Sequence, residues 1–107
     1  MKRINWTEYR NSIPSRIQVS NKVFFEVCWT DGFKDEKTVG ETRFEPNQIV
    51  MKTNESEKET VKTYIHEILH AFSDVYEIGL TEKQVQKLEK GLTYALKPGN
   101  LFKHGDK

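Results

Sequence analysis

Two of the three histidines in this chain lie four residues apart, in the stretch TYIHEILHAF at residues 63–72. A helix turns by about 100° per residue, so His66 and His70 lie within about 40° of each other and project from the same side. Two imidazole nitrogens one helical turn apart can bind the same zinc ion. Glu67 lies about 100° around the helix from His66, which suits a carboxylate that hydrogen-bonds a water at the metal better than one that binds the metal directly.

This HExxH spacing predicts a hydrolytic zinc site. Zinc acidifies a water, and Glu67 takes the proton of that water as it attacks a carbonyl. The alternative is an ordinary amphipathic helix whose two histidines lie on a solvated polar face. The context favours zinc, because the other side of this helix is apolar and a second helix that carries carboxylates follows at short range. Apolar residues recur at three-and-four spacing, at Val61, Tyr64, Ile65, Ile68, Leu69, Phe72, Val75 and Tyr76.

The elements that position the motif can be predicted from periodicity and from turn residues. NWTEYRNSI reads as a short helix that ends before Pro14, and RIQV, KVFFEVCW, TVGETRF and QIVMK read as strands. Asp31-Gly32 is a hairpin signal between the second and third strands. The expected fold is α+β, a small antiparallel β-meander followed by an αα-hairpin that carries the HExxH motif, with the helices on one face of the sheet.

Capping residues mark the two helices of the predicted hairpin. Ser56 with Glu59 and Thr81 with Gln84 each fit a capping box at a helix start. Gly79 is the expected end of the first helix, as a left-handed cap residue. Pro98-Gly99 stops the second helix.

Length and composition bound the class of protein. The 107 residues predict a single domain over 1–107, with a flexible tail after about residue 102. The net charge of +1 and the scattered lysines argue against a nucleic-acid partner, and no apolar run is long enough for a membrane span. Cys28 is the only cysteine, so no internal disulfide can form, and we expect a cytoplasmic protein.

The helix pair resembles a known family. TYIHEILHAFSDVYEIGLTEKQVQKLEKGL is similar to very small metallopeptidases of bacteriophages and mobile elements, minimal gluzincin-type relatives of the ImmA/IrrE and SprT-like proteins. The resemblance is strongest over residues 48–96 and implies a zinc cofactor, a minimal zincin-like fold, and a peptide or protein substrate in the host cytoplasm. It also implies that QIVMK is a sheet edge that pairs with extended substrate.

Metzincins require Gly and His three and six residues after the second motif histidine, where this chain has Ser73 and Tyr76, so that family is excluded. Larger gluzincins stabilise the oxyanion with a Tyr or His from a second subdomain. The candidates for that role in this chain are Tyr76, Tyr94 and His104.

The third zinc ligand is expected on the second helix. Glu82 and Glu89 lie on the same flank of that helix, seven residues apart, whereas Asp74 and Glu77 lie too far along the first helix. A metal between the two histidines would lie about 13 Å from the end of the first helix, measured along the helix axis. In an antiparallel hairpin Glu89 lies at about the same distance from the turn, whereas Glu82 lies roughly 10 Å closer to the turn. Glu89 is therefore the predicted ligand, although Glu82 stays a candidate.

The sequence thus predicts a zinc metallopeptidase in which His66, His70 and Glu89 bind zinc and Glu67 is the general base. The alternative is a zinc-stabilised interaction module, such as an inhibitor of a host protein, that keeps the site for folding. A structural zinc site has four protein ligands and needs no general base. Three protein ligands with a glutamate beside them favour the enzyme.

Overall fold

Residues 3–102, the part of the chain that the computed structural model describes, form three helices and a four-stranded sheet. The helices are α1 (Trp6–Asn11), α2 (Glu57–Val75) and α3 (Glu82–Ala95), and the strands are β1 (Arg16–Gln18), β2 (Phe24–Thr30), β3 (Gly40–Arg43) and β4 (Gln48–Lys52). The predicted α+β class is confirmed. Within these residues, no helix is both long enough and apolar enough to span a bilayer.

The sheet has the strand order β1-β2-β4-β3 and is mixed. β2 is antiparallel to β1 but parallel to β4, and β3 pairs with β4 in antiparallel orientation. The predicted antiparallel meander is therefore wrong. β2 and β3 are not neighbours, so Asp31-Gly32 does not close a hairpin between them.

The apolar run within β4 explains this strand order. Ile49, Val50 and Met51 are consecutive and all three are buried. Consecutive side chains of a strand point to opposite faces, so a strand with this pattern must be covered on both faces, as central strands are. β4 accordingly lies between β2 and β3, which leaves β3 at the edge of the sheet.

α2 lies between the sheet and the other two helices. One side of α2 packs on β3 and β4, and α1 and α3 both pack on α2. The sheet-side core contains Phe25, Val27, Ile49, Met51, Tyr64 and Ala71, and the helix-side core contains Tyr9, Val61, Ile65, Leu69 and Val85. α2 is thus held on two sides, which fixes the orientation of the motif residues that it carries.

The predicted helix starts are confirmed. The Ser56 side chain accepts a hydrogen bond from the amide of Glu59, and Thr81 and Gln84 form a reciprocal capping box. The predicted end of α2 is less accurate, because the helix stops at Val75, before Gly79.

The turn between α2 and α3 folds back along α2. The amide of Ile78 donates to the carbonyl of Ser73, and the amide of Leu80 donates to the Ser73 hydroxyl at 2.8 Å. Glu77 and Gly79 both have positive φ, at 52° and 74°, which reverses the chain within a few residues. The turn is therefore held against Ser73, two residues before the end of α2, and α3 begins two residues after Leu80.

Candidate metal centre

His66 and His70 lie side by side on α2. Their Nε2 atoms are 3.2 Å apart, and the ring centroids are 4.9 Å apart with the rings inclined at 63°. Both rings are partly exposed, because they lie on the side of α2 away from its two packed faces. The same nitrogen of each ring is thus directed to one point.

Glu82, the first residue of α3, completes this cluster. Its carboxylate oxygens lie 2.9 Å from His66 Nε2 and 3.1 Å from His70 Nε2. One ligand atom from each of the three residues lies within 4.8 Å of the others, as in a metal-binding group. Around a tetrahedral zinc with ligand distances of about 2.0–2.1 Å, neighbouring ligand atoms stand roughly 3.3 Å apart. The two Nε2 atoms, 3.2 Å apart, fit that spacing, and each of them lies within about 3 Å of one Glu82 oxygen.

Glu89 lies outside the cluster, on the far side of the His66 ring. Its Oε1 is 2.9 Å from His66 Nδ1, whereas the cluster is built around Nε2. This differs from the ligand set predicted from the sequence, in which Glu89 was level with the metal and Glu82 was roughly 10 Å away. The difference arises because the turn folds back to Ser73. This shifts α3 towards the start of α2 and brings Glu82 beside His70.

The contact with Glu89 determines what the His66 ring can offer to the cluster. An ionised carboxylate only accepts hydrogen bonds, so Nδ1 carries a proton that it donates to Glu89. In the neutral ring, Nε2 then has a lone pair that faces a second acceptor, Glu82 Oε2, at 2.9 Å. Two acceptors at this distance repel each other unless a cation, either a proton or a metal, lies with them. Histidines that bind a metal through one nitrogen are commonly held by a carboxylate at the other, so this arrangement is compatible with a metal at Nε2.

Glu67 lies beneath the histidines, between α2 and the edge strand β3. Only 7% of its surface is exposed, and its Oε1 accepts a hydrogen bond of 2.7 Å from the Thr42 hydroxyl. Burial raises the pKa of the Glu67 carboxyl above its usual value. The Thr42 hydrogen bond and the two histidines oppose this rise, and Glu82 adds to it. A carboxyl whose pKa is raised towards neutrality is suited to take up a proton.

Gly40 allows β3 to approach α2 closely at this point. A Cβ atom at Gly40 would contact Thr63 Cγ2 and would lie 3.2 Å from Glu67 Cγ. Because glycine has no side chain, the strand can lie against the helix and Thr42 can reach Glu67.

Gly40→Ala is therefore expected to destabilise the protein by about 1–3 kcal/mol, because the added methyl forces β3 and α2 apart. Urea unfolding measures this free energy. Gly32→Ala is the matched control, since a Cβ there meets nothing within 4 Å and should leave stability within about 0.5 kcal/mol of wild type. Equal unfolding free energies for the two variants would show that β3 and α2 are not in close contact at Gly40.

An open cleft runs along β3 past these side chains. Thr42 and Phe44 lie on one wall, Glu77 and Gly79 lie on the other, and the motif residues lie between them. A second hollow continues the cleft beyond Gly40, between residues 37–40 and Gln86 of α3. The two hollows share three residues, Gly40, His66 and Glu67, so the candidate site lies between them.

The sheet edge beside the cleft is β3. The prediction that QIVMK, now β4, is the substrate-pairing edge is wrong, because β4 is paired on both sides. The amide of Lys52 donates to the carbonyl of Val39, so these residues form a hydrogen-bonded pair of the β3–β4 ladder. Such pairs alternate along antiparallel strands, so Gly40 and Thr42 direct their backbone N–H and C=O groups away from β4.

The two tyrosines considered for oxyanion stabilisation, Tyr76 and Tyr94, do not lie at the cluster. The Tyr76 hydroxyl donates to the carbonyl of Val19 at 2.6 Å, beside β1. Tyr94 is exposed on α3 and is not among the residues that line the cleft. His104 lies outside the described residues.

Comparisons with protein-family models, curated proteins and solved structures find no match. Thr42 and Gly40 carried no recognisable signal in the sequence, since TVGETRF reads as an ordinary strand. The consecutive apolar residues of β4 were the available clue, because a central β4 leaves β3 at an edge of the sheet.

Proposed function

We propose that this protein is a gluzincin-like zinc peptidase in which His66, His70 and Glu82 bind the metal and Glu67 is the general base. The observation that carries the proposal is the convergence of two Nε2 atoms and a carboxylate at about 3 Å from one another, beside the buried carboxyl of the same HExxH motif. This convergence joins residues from two helices.

The donor set favours zinc over harder cations. Two imidazoles and one carboxylate are typical ligands of catalytic zinc, whereas magnesium and calcium prefer oxygen ligands. When bound, zinc supplies Lewis acidity to a water and to the substrate carbonyl. Three protein ligands leave a coordination position open, while structural zinc sites close with four protein ligands.

The chain's own residues supply the proton transfer and the positioning. Glu67 takes the proton of the attacking water and then delivers it to the amine that leaves. Burial keeps the Glu67 carboxyl away from bulk water and raises its pKa, which strengthens it as a base. Glu89 holds the His66 ring in the tautomer that leaves Nε2 free to bind the metal.

The edge strand β3 supports an extended peptide as the substrate. Gly40 and Thr42 direct their backbone N–H and C=O groups away from β4 beside the cleft, so a peptide can add to the sheet there as a further strand. Main-chain hydrogen bonds of this kind bind peptides of varied sequence. The scissile bond of such a peptide would pass next to Glu67, since Thr42 contacts both the edge and this carboxyl.

The interaction-module alternative differs from the peptidase in what it needs from the site. A metal bound by His66, His70 and Glu82 would tie α2 to α3 in either case and would stabilise the fold. The general base and the open cleft serve only the enzyme. The buried Glu67 beside the free edge of β3 therefore favours the peptidase.

Elemental analysis of the purified protein tests the metal part of the proposal. We expect about one zinc per chain in wild type and close to none in His70→Ala, since the loss of one of three ligands removes most of the affinity. His104→Ala is the matched control, because it removes the one histidine that is not in the motif. Equal, near-zero zinc in all three proteins, with no uptake from added zinc, would contradict the proposal.

A further inference from the structure

We propose that Thr42 is a positioning residue for the general base, holding the Glu67 carboxylate in place from the strand that receives the substrate. This inference rests on the peptidase function proposed for the site. The Thr42 hydroxyl lies 2.7 Å from Glu67 Oε1 and 3.0 Å from the Glu67 backbone oxygen. Its single proton can be donated to either, and the carboxylate oxygen is both closer and charged when ionised.

The Glu67 carboxylate needs such an anchor. A glutamate side chain has three rotatable bonds, and a base must lie within hydrogen-bonding reach of the proton that it takes. The Thr42 hydroxyl is the hydrogen-bond donor found at this carboxylate among residues 3–102. Bonding by one oxygen to Thr42 leaves the other, Oε2, available to a water.

Thr42 also connects the base to the substrate strand. Its side chain points to α2, while its backbone N–H and C=O point away from β4 at the free edge. A peptide paired with this edge would be held by the same residue that holds Glu67. The distance between the scissile carbonyl and the base then depends on the single hydrogen bond from Thr42 to Glu67. Gly40 supports this arrangement because its missing side chain lets the strand approach the helix.

The test compares Thr42→Val, which removes the hydroxyl at nearly constant shape, with Thr42→Ser, which keeps it. In Thr42→Val we expect kcat for a cleaved peptide to fall about 10- to 100-fold with KM within about twofold, because the base is misplaced while the strand edge is intact. Thr42→Ser should restore most of kcat. Zinc affinity should stay within about threefold of wild type in both variants, because neither changes a ligand.

A second readout does not depend on cleavage. The side-chain carboxyl ¹³C resonance of Glu67, assigned by its absence from Glu67→Gln, should shift in Thr42→Val and return in Thr42→Ser at one fixed pH. A resonance that is the same in all three proteins overturns the inferred hydrogen bond. Undiminished kcat in Thr42→Val, or equal losses in both variants, overturns the positioning role and leaves the proposed function standing. The absence of cleavage by zinc-loaded wild type across a peptide library overturns the peptidase function and the positioning role of Thr42 together.

Discussion

Glu67→Gln is expected to abolish peptide cleavage while the protein keeps its zinc. Glutamine has nearly the same shape, and its amide oxygen can still accept the hydrogen bond from Thr42, but it cannot take a proton. General-base catalysis contributes roughly 10²–10⁴-fold to a rate, so cleavage should fall by about that factor. The rate of cleavage of a peptide library by zinc-loaded protein measures the effect.

The stability of the same variant separates a catalytic Glu67 from a structural one. Burial raises the pKa of Glu67, so keeping this carboxyl ionised near neutral pH costs free energy in the folded state. A neutral amide avoids that cost, and the Tm of metal-free Glu67→Gln should be equal to that of wild type or higher. If Glu67 instead served only to stabilise the fold, its replacement by glutamine would lower the Tm.

The matched control for this experiment is Glu77→Gln. Glu77 is exposed and lines the same cleft, so its replacement removes the same charge without touching the base. Cleavage by Glu77→Gln should stay within a few-fold of wild type. Wild-type rates in Glu67→Gln would show that another group, or a contaminating protease, is responsible. Zinc binding without any cleavage by wild type would favour the interaction module.

The helix that carries the motif could be predicted from the sequence because its signals are local. The four-residue spacing of His66 and His70, the apolar residues at three-and-four spacing and the cap at Ser56 all lie within one segment of about 20 residues. Local hydrogen bonds and side-chain spacing decide such features, whatever the rest of the chain does.

The strand order could not be predicted in the same way. Adjacent strands in sequence pair more often than not, and that general tendency favoured a meander. Here the burial of Ile49, Val50 and Met51 on both faces outweighed it and placed β4 between β2 and β3. The position of Thr42 beside Glu67 follows from this pairing, so it could not be derived from local patterns.

Whether Glu82 or Glu89 lies nearer to the two histidines depends on the turn between the helices. An ideal antiparallel hairpin places equal numbers of residues on either side of the turn, which makes Glu89 level with the histidines. In the structure the turn folds back on Ser73, with Glu77 in a left-handed conformation that non-glycine residues adopt infrequently. In this arrangement Glu82, and not Glu89, lies beside both Nε2 atoms.

Glu82→Ala is accordingly expected to weaken zinc binding more than Glu89→Ala. Loss of a residue that orients a ligand typically costs about 10- to 100-fold in metal affinity, and we expect Glu89→Ala to fall in that range. Loss of a direct ligand should cost more than about 100-fold. Competition with a chromophoric chelator measures both dissociation constants on metal-free protein.

Side-chain burial and the hairpin predicted from the sequence both favour the opposite ranking of the two glutamates. The Glu82 side chain is 57% exposed and that of Glu89 is 15% exposed, so an argument from burial alone would assign the larger effect to Glu89. The ideal hairpin predicted from the sequence also assigns it to Glu89. Only the grouping of Glu82 with both Nε2 atoms reverses the order.

Glu89→Gln is the control that separates orientation from charge. Its amide oxygen can still accept the proton of His66 Nδ1, so the ring keeps its tautomer, and the loss of affinity should be smaller than in Glu89→Ala. The expected order of increasing loss is therefore Glu89→Gln, Glu89→Ala, Glu82→Ala. If Glu89→Ala loses the most affinity, Glu89 is the third ligand after all. In that case α3 must lie closer to the C-terminal end of α2 in the zinc-bound protein than the hydrogen bonds between Ser73 and the turn allow.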